Sequence, residues 1–207
     1  MNIIRTLSLL TLALCTAPAF ATDTAFGGVG GAGWYAGAGL GYSTVKEDAM
    51  GNGYTINRDT HDTGYKLFGG YRFNSNFGIE GSYVDFGKEK FNWTYSPVES
   101  GSGTVSASTF ALAATGRLPL GNSFALLGKL GAANTQVKYR ESWSQPGYSE
   151  NISNNYSSTA PVVGLGAGYA FGKNIGLRAE YESYGKSKMG DAKVKTDLLS
   201  ISLGYHF

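Results

Sequence analysis

The sequence predicts an all-β fold, an eight-stranded antiparallel transmembrane up-and-down β-barrel, on three observations. Segments of about 10 residues alternate apolar with small or polar side chains at a period of two, which is typical of strands in a spanning barrel. Short and long connections alternate between these segments. Gly and aromatic residues are abundant, with 31 Gly, 14 Tyr and 11 Phe in 207 residues, and this composition favours strands over helices.

Residues 1–21 have the pattern of a secretory signal peptide. Arg5 precedes an apolar run at 7–14, and an A-x-A cleavage site ends at Ala21. The apolar run is too short for a spanning helix. We therefore expect export and cleavage after Ala21.

Cysteine content and charge limit the chemistry of the mature domain, residues 22–207. The one cysteine, Cys15, lies in the signal peptide, which excludes disulfides and thiol chemistry. The chain has 17 Lys and Arg against 15 Asp and Glu, and removal of Arg5 leaves 16 against 15. This balance argues against a nucleic-acid partner. A G-x-G-x-x-G pattern from Gly28 lacks the flanking strand and helix of a nucleotide site, so we predict no cofactor.

The first predicted strand, 34–43, alternates apolar residues with Gly and Tyr. The second, 64–73, ends at an Asn-Ser-Asn turn, 74–76, and 77–86 returns as its hairpin partner. Charged and small residues oppose the apolar row in this hairpin. The apolar row of the three strands contains Trp34, Ala36, Ala38, Leu40, Tyr42, Tyr65, Leu67, Tyr71, Phe73, Phe77, Ile79 and Tyr83.

Two further hairpins have the same form, with a turn that contains Gly and Asn. Their strands are 108–120 with 124–137 and 159–171 with 175–185, and their turns are 121–123 and 172–174. The last strand, 195–207, has an apolar row that ends at Phe207, opposite a row of Ser, Gly and His. Together with the first strand, these segments give eight strands.

The connections also predict an orientation. Three turns are short, and the other connections are expected to be long loops at 44–63, 87–107, 138–158 and 186–194. Outer-membrane barrels have short periplasmic turns and longer extracellular loops, so both termini are predicted to be periplasmic. The outward aromatic residues then fall at two levels, which indicates the two girdles of such a barrel.

Charged residues occupy the predicted inward positions of several strands. They are Lys66, Arg72, Glu80, Arg117, Lys129, Arg178, Glu180 and Glu182. An eight-stranded barrel is only just wide enough for its side chains to fill the interior, and buried charges without partners are costly. Glu80 and Arg178 lie at similar heights on opposing walls, so we predict a pair that helps to block the barrel, supported by Arg117 and Glu180. A path for small ions is the alternative interpretation.

Five motifs occur in an order and spacing that are specific together. They are Gly-Trp-Tyr-Ala-Gly-Ala-Gly-Leu-Gly at 33–41, Gly-Tyr-Arg-Phe-Asn at 70–74, Phe-Gly-Ile-Glu at 77–80, Leu-Arg-Ala-Glu-Tyr at 177–181 and the terminal Phe207. Over essentially the whole mature chain, the sequence resembles the membrane domain of the OmpA-like outer membrane proteins.

This resemblance implies a Gram-negative outer membrane location and a buried charge network, with Glu80 and Arg178 at matching positions. It also implies that Phe207 helps recognition by the barrel assembly machinery. Thr115 and Gly168 stand where the family has a Lys and a Glu, so the match to that network is incomplete. The peptidoglycan-binding domain of full-length relatives is expected to be absent, and cell-wall anchoring is not implied.

The sequence gives little support to catalysis or metal binding. His61 lies in a predicted loop with Asp59 and Asp62 near it but without a Ser motif, and His206 lies at the opposite end of the barrel. No second cluster of metal ligands is visible. We therefore predict no enzyme activity and no metal site.

The predicted loops contain Trp93, Trp143 and Tyr148 among Ser, Asn and Gly. Such residues suit contact with a host or cell-surface ligand, and they equally suit packing on the barrel rim. The sequence thus predicts a structural and surface-exposed role, in envelope integrity and in adhesion or as a surface antigen. A low-conductance porin or small-solute channel is the alternative. Expected partners are outer membrane lipid, lipopolysaccharide and the barrel assembly machinery.

Overall fold

The structure is a computed structural model that describes residues 32–51, 54–96, 99–121, 123–145, 148–189 and 192–207. In these residues no helix is long and apolar enough to cross a membrane. The predicted signal peptide, residues 1–21, and its cleavage site lie outside the described residues and stay predictions.

Eight antiparallel strands close into one barrel in chain order, because β1 pairs with both β2 and β8. The strands are β1 (Gly33–Gly51), β2 (Tyr54–Arg72), β3 (Phe77–Ser96), β4 (Glu99–Pro119), β5 (Phe124–Gln145), β6 (Tyr148–Ala170), β7 (Ile175–Met189) and β8 (Ala192–His206). This confirms the predicted fold class, and each strand contains its predicted segment to within one residue. We call the end with the connections 73–76, 120–123 and 171–174 the turn end, and the opposite end the hairpin end.

The prediction of long loops at the hairpin end is wrong. The described residues of the segments near 44–63, 87–107, 138–158 and 186–194 lie in strands, and β5 and β6 reach 22 and 23 residues. Beyond the membrane both faces of a strand meet water, so the main-chain ladder persists while the alternation of side chains is lost. Without that alternation the sequence has the pattern of a loop.

Alternate residues of each strand face outward or into the lumen, as the period of two predicts. On β8, for example, Leu203 is 56% exposed on the outer face and Ser202 is 1% exposed in the lumen. Outward aromatic residues at the turn end contact each other edge to face or tilted. Their ring centroids are 5.1 Å apart for Trp34 and Tyr71, 4.8 Å for Phe124 and Tyr169, and 5.2 Å for Tyr205 and Phe207.

The barrel wall divides toward the hairpin end. Among the described residues, β2 and β3 pair only as far as Tyr65 with Asp85, and β6 and β7 only as far as Val163 with Ser183. The other six ladders run on, so the wall becomes two four-stranded sheets, β7-β8-β1-β2 and β3-β4-β5-β6. We call the two gaps between these sheets the seams. At the base of one seam, Lys88 N donates to Asp62 Oδ2 at 2.9 Å.

β3 and β7 have related sequences at an offset of 98 residues. In this alignment Glu80 corresponds to Arg178, and Phe86 corresponds to Tyr184. The strands stand on opposite sides of the eight-stranded barrel, so residues at equivalent positions face each other across the lumen. Each strand also has a register shift beside a Gly of positive φ, 89° at Gly87 and 68° at Gly185. Gly adopts this conformation without a steric penalty, as a bulge requires.

Candidate functional site in the barrel lumen

The lumen at membrane level contains a cluster of ion pairs, which we call the charge network. Alternation along four strands directs its side chains inward, and β7 supplies three of them because every second residue faces the lumen. Each side chain is at most 8% exposed. The members are Lys66 of β2, Glu80 of β3, Lys129 of β5, and Arg178, Glu180 and Glu182 of β7.

Lys129 is the central cation of this network. Its Nζ lies 2.6 Å from Glu80 Oε1, 2.7 Å from Glu180 Oε1 and 3.2 Å from Glu182 Oε1. Arg178 lies on β7, the strand opposite the β3 strand of Glu80, and its Nη1 donates to Glu80 Oε2 at 2.7 Å. The structure therefore brings the predicted pair of Glu80 and Arg178 into direct contact.

Lys66 completes the network from β2. Its Nζ lies 3.0 Å from Glu180 Oε2 and also contacts Glu182. Each of the three carboxylates thus contacts two cations, which are Arg178 and Lys129 for Glu80, and Lys129 and Lys66 for the other two. Buried charges are tolerated when they are paired and hydrogen-bonded in this way.

Two aromatic rings pack against the cations of the network. The Arg178 guanidinium lies 4.9 Å from the Tyr35 ring centroid and 4.7 Å from that of Phe68. Both distances suit a cation–π contact. Glycines make room for the rings, because a Cβ on Gly37 would lie 2.3 Å from the Phe68 ring and one on Gly70 would lie 2.6 Å from the Tyr35 ring.

Around the predicted pair, Lys129 contacts Glu80 and also Glu180, which was predicted to support the pair. Arg117, the other predicted support, lies nearer the turn end in the wall of a cavity that Glu180 and Arg178 also line. Lys129 stands directly opposite Thr115 in the ladder of β4 and β5. The Lys that the family pattern has on β4 is therefore supplied here by the neighbouring strand. Gly168, where the pattern has a Glu, is likewise the ladder partner of Arg178, and the strand of Arg178 supplies the acidic groups. Sequence alone does not show these ladder partners, and no local signal identifies Lys129 as the centre.

A second layer of side chains closes the lumen on the hairpin side of the charge network. We call it the apolar layer. Its members are at most 4% exposed and are Val84, Phe86, Val137, Val162, Tyr184 and Leu198. The rings of Phe86 and Tyr184 meet edge to face across the lumen, with centroids 5.3 Å apart. The lumen is thus filled in two successive layers, one charged and one apolar.

Trp93, Trp143 and Tyr148, the predicted surface contacts, all lie on strands near the hairpin end. In the ladders, Gly101 is the partner of both Trp93 and Trp143, so the two Trp occupy one row on β3 and β5. Tyr148 begins β6 opposite Gln145. The side chains of Trp93 and Tyr148 lie outside the described part of the structure.

Phe207 lies at the turn end on the outer face of the barrel. Its side chain is 71% exposed, and its ring centroid is 5.2 Å from that of Tyr205. Its N–H donates to Trp34 O at 3.0 Å, which extends the contact between β8 and β1 to the last residue. The aromatic side chain of Phe207 is therefore held on the outer face of the barrel.

The described residues contain no group of three or more His, Cys, Asp or Glu that could hold a metal ion. His206 is buried at the turn end, 5% exposed. The side chain of His61 lies outside the described residues.

Comparison with known proteins places this geometry in a family. Residues 7–207 match the outer membrane protein beta-barrel domain. The chain belongs to this family of outer membrane barrels. The predicted likeness to OmpA is confirmed, since the chain is 26% identical over 185 residues to outer membrane protein A of Serratia marcescens and 28% identical over 181 residues to that of Yersinia pseudotuberculosis. Each match covers 84% of this chain but only 49% and 48% of the relative, so the chain spans about half the length of these curated relatives.

Two solved structures of bacterial proteins are similar to this chain. The attachment invasion locus protein Ail of Yersinia pestis is 23% identical, with a TM-score of 0.48, and the match covers 84% of this chain and 99% of Ail. Neisserial surface protein A is 19% identical, with a TM-score of 0.47, and the match covers 86% of this chain and 99% of that protein.

Proposed function

We propose that this outer membrane protein is a closed, non-enzymatic barrel that contributes to envelope structure and presents β-hairpins at the cell surface. The observation that carries the proposal is the filled lumen, in which the apolar layer lies directly above the charge network. In this proposal the turn end faces the periplasm and the hairpin end faces the outside of the cell, as in other outer-membrane barrels.

Closure follows from the energetics of the two layers. A permeating ion would have to separate Lys129 from carboxylates 2.6 to 3.2 Å away, and would leave buried charges without partners. It would then meet Phe86 and Tyr184, which offer no ring of ligands to replace its water. Both barriers oppose steady conduction.

Planar-bilayer recording of the refolded mature protein tests this function. The closed barrel is expected to give rare and small openings, because conduction requires both layers to rearrange. A steady open level would instead support the alternative role, a low-conductance porin or small-solute channel. Empty bilayers with the same detergent serve as the control.

The surface role is supported by the exposed part of β6. Residues 150–157 are all exposed, and most are Ser or Asn, with Ile152 and Tyr156 among them. A polar surface with a few exposed apolar side chains suits contact with a host or cell-surface ligand. In the same proposal, the outward apolar band contacts outer membrane lipid, and the adjoining hairpins contact lipopolysaccharide.

Cysteine labelling on intact cells tests the proposed orientation. The only natural cysteine, Cys15, lies in the predicted signal peptide. Ser153→Cys at the hairpin end should react with a membrane-impermeant maleimide on intact cells, because residue 153 is exposed there. Lys173→Cys, in an exposed turn at the opposite end, should react only after permeabilisation. The reverse pattern would invert the topology.

Phe207 is proposed as a recognition element for the barrel assembly machinery. Deletion of Phe207 is expected to reduce the amount of assembled, heat-modifiable protein in the outer membrane severalfold. Phe171→Ser is the matched control, because it removes an exposed aromatic side chain from the same end of the barrel without changing the C-terminus. Equal yields of the two variants would show that the terminal residue has no special role.

A further inference from the structure

The turn end of the lumen has a different electrostatic character from its centre. Arg72, Arg117 and Arg178 line two small cavities of about 30 and 20 Å³, and Lys129 and Glu180 of the charge network also line the larger one. The cavities also share Leu127 in their walls, so they are adjacent, and we call the two together the arginine chamber.

The positive charge of the arginine chamber follows from where the carboxylates lie. The inward positions that sequence analysis identified hold five cations against three carboxylates. All three carboxylates are engaged by Lys129, and two of them also by Lys66, at membrane level. Arg72 and Arg117 stand on the turn-end side of these pairs. Among these eight inward positions, the excess of cations over carboxylates therefore falls at the turn end.

A small residue leaves space beside the guanidinium groups. Gly168 is the ladder partner of Arg178 and lines the smaller cavity, and a Cβ there would lie 3.6 Å from Leu127 Cδ1. The larger cavity exceeds the 10–15 Å³ or so that a single water needs. Asn76, an exposed residue of the connection 73–76, stands at its edge, so this cavity adjoins the turn end.

Guanidinium groups around a small cavity are chemically suited to an anion. Each presents several N–H donors in a planar fork and keeps its charge at any physiological pH. Like charges that converge in a region of low dielectric repel each other strongly, and an anion held between them offsets that repulsion.

We infer that the arginine chamber is a binding site for one small inorganic anion, either chloride or phosphate, entering from the turn end. Arg72 and Arg117 provide the donors nearest the entrance. Arg178 contributes its charge from the inner side while its Nη1 remains on Glu80. The site is independent of whether the barrel conducts, so its test does not depend on the proposed function.

The test uses the refolded protein in a detergent without phosphate groups. Sodium chloride or sodium phosphate is titrated at constant ionic strength against sodium gluconate, and both the thermal unfolding midpoint and the heat of binding are measured. A saturable rise in the midpoint with a single binding isotherm is expected for at least one anion. Comparison of the two titrations identifies chloride or phosphate as the ligand.

Variants make the result specific to the arginine chamber. Arg117→Met, and separately Arg72→Met, should weaken binding at least tenfold while the protein remains folded by heat-modifiable migration. Arg140→Met is the matched control, because Arg140 is exposed on β5 near the hairpin end, and it should leave binding unchanged. Absence of saturable binding for both anions would overturn the inference. Binding that survives in both chamber variants would do so as well.

Discussion

Lys129→Met is expected to lower the free energy of unfolding of the refolded barrel by about 3–5 kcal/mol. Lys129 contacts all three carboxylates of the charge network, so its removal leaves each of them with one cation fewer in a buried site. Water is then drawn toward the carboxylates that have lost this cation. We therefore also expect larger and more frequent openings in planar bilayers. Urea unfolding followed by Trp fluorescence measures the first effect, and bilayer recording measures the second.

Two variants decide whether this effect arises from the carboxylates. Lys138→Met, at an exposed position on the same strand, should change stability by no more than about 0.5 kcal/mol. Adding Glu180→Gln to Lys129→Met removes one carboxylate that has lost a partner, so the double variant should recover part of the stability. A double variant no better than the single one would mean that Lys129 does not hold the network together.

Leu203→Arg on the lipid face is expected to destabilise the barrel by about 2–4 kcal/mol. Leu203 is 56% exposed on the outer face of β8, opposite Ala38 and Leu177 in the neighbouring strands. This position lies between the two levels of outward aromatic residues, where a charge meets hydrocarbon. Unfolding from lipid vesicles, followed by heat-modifiable migration, measures the difference.

Leu199→Arg is the matched control for depth. Leu199 lies on the same strand and face, but its ladder partners are Tyr42 and Tyr181 of the aromatic level nearer the hairpin end. An Arg there can reach the membrane surface, so the cost should fall to about 0–1 kcal/mol. Equal costs at 199 and 203 would contradict the assigned position of the membrane. Ser202→Arg on the lumen face would not serve as a control for Leu203→Arg. Ser202 is 1% exposed and is the ladder partner of Arg178, so an Arg there would place two like charges side by side in a buried site.

The membrane-level fold could be predicted because lipid imposes a rule on single residues. Every outward side chain must be apolar, so neighbours such as Leu203 and Ser202 reveal their faces from their chemistry alone. Nothing comparable acts beyond the membrane. Residues 150–157 are exposed and mostly polar, and only the ladder with β5 shows that they form a strand.

The charge network could be predicted in part. Glu80 and Arg178 have equivalent places on β3 and β7, which face each other, so counting from the turns gave their heights correctly. The position of Lys129 opposite Thr115 depends on the register of β4 against β5. That register depends on how the whole barrel staggers, and no local pattern carries it. Arg117 was also predicted to support the pair without knowledge of this register, and it lies in the wall of the arginine chamber.

The seams have a mechanical consequence for the rim of the barrel. Above Asp85 on one side and Ser183 on the other, no ladder pair of the described strands joins the two four-stranded sheets. Spreading these two sheets apart would break no ladder hydrogen bond, only side-chain contacts such as that of Asp62 Oδ2 with Lys88 N. Widening the wall at membrane level would break an entire ladder. We therefore expect the rim to yield to a sideways load before the wall below it does.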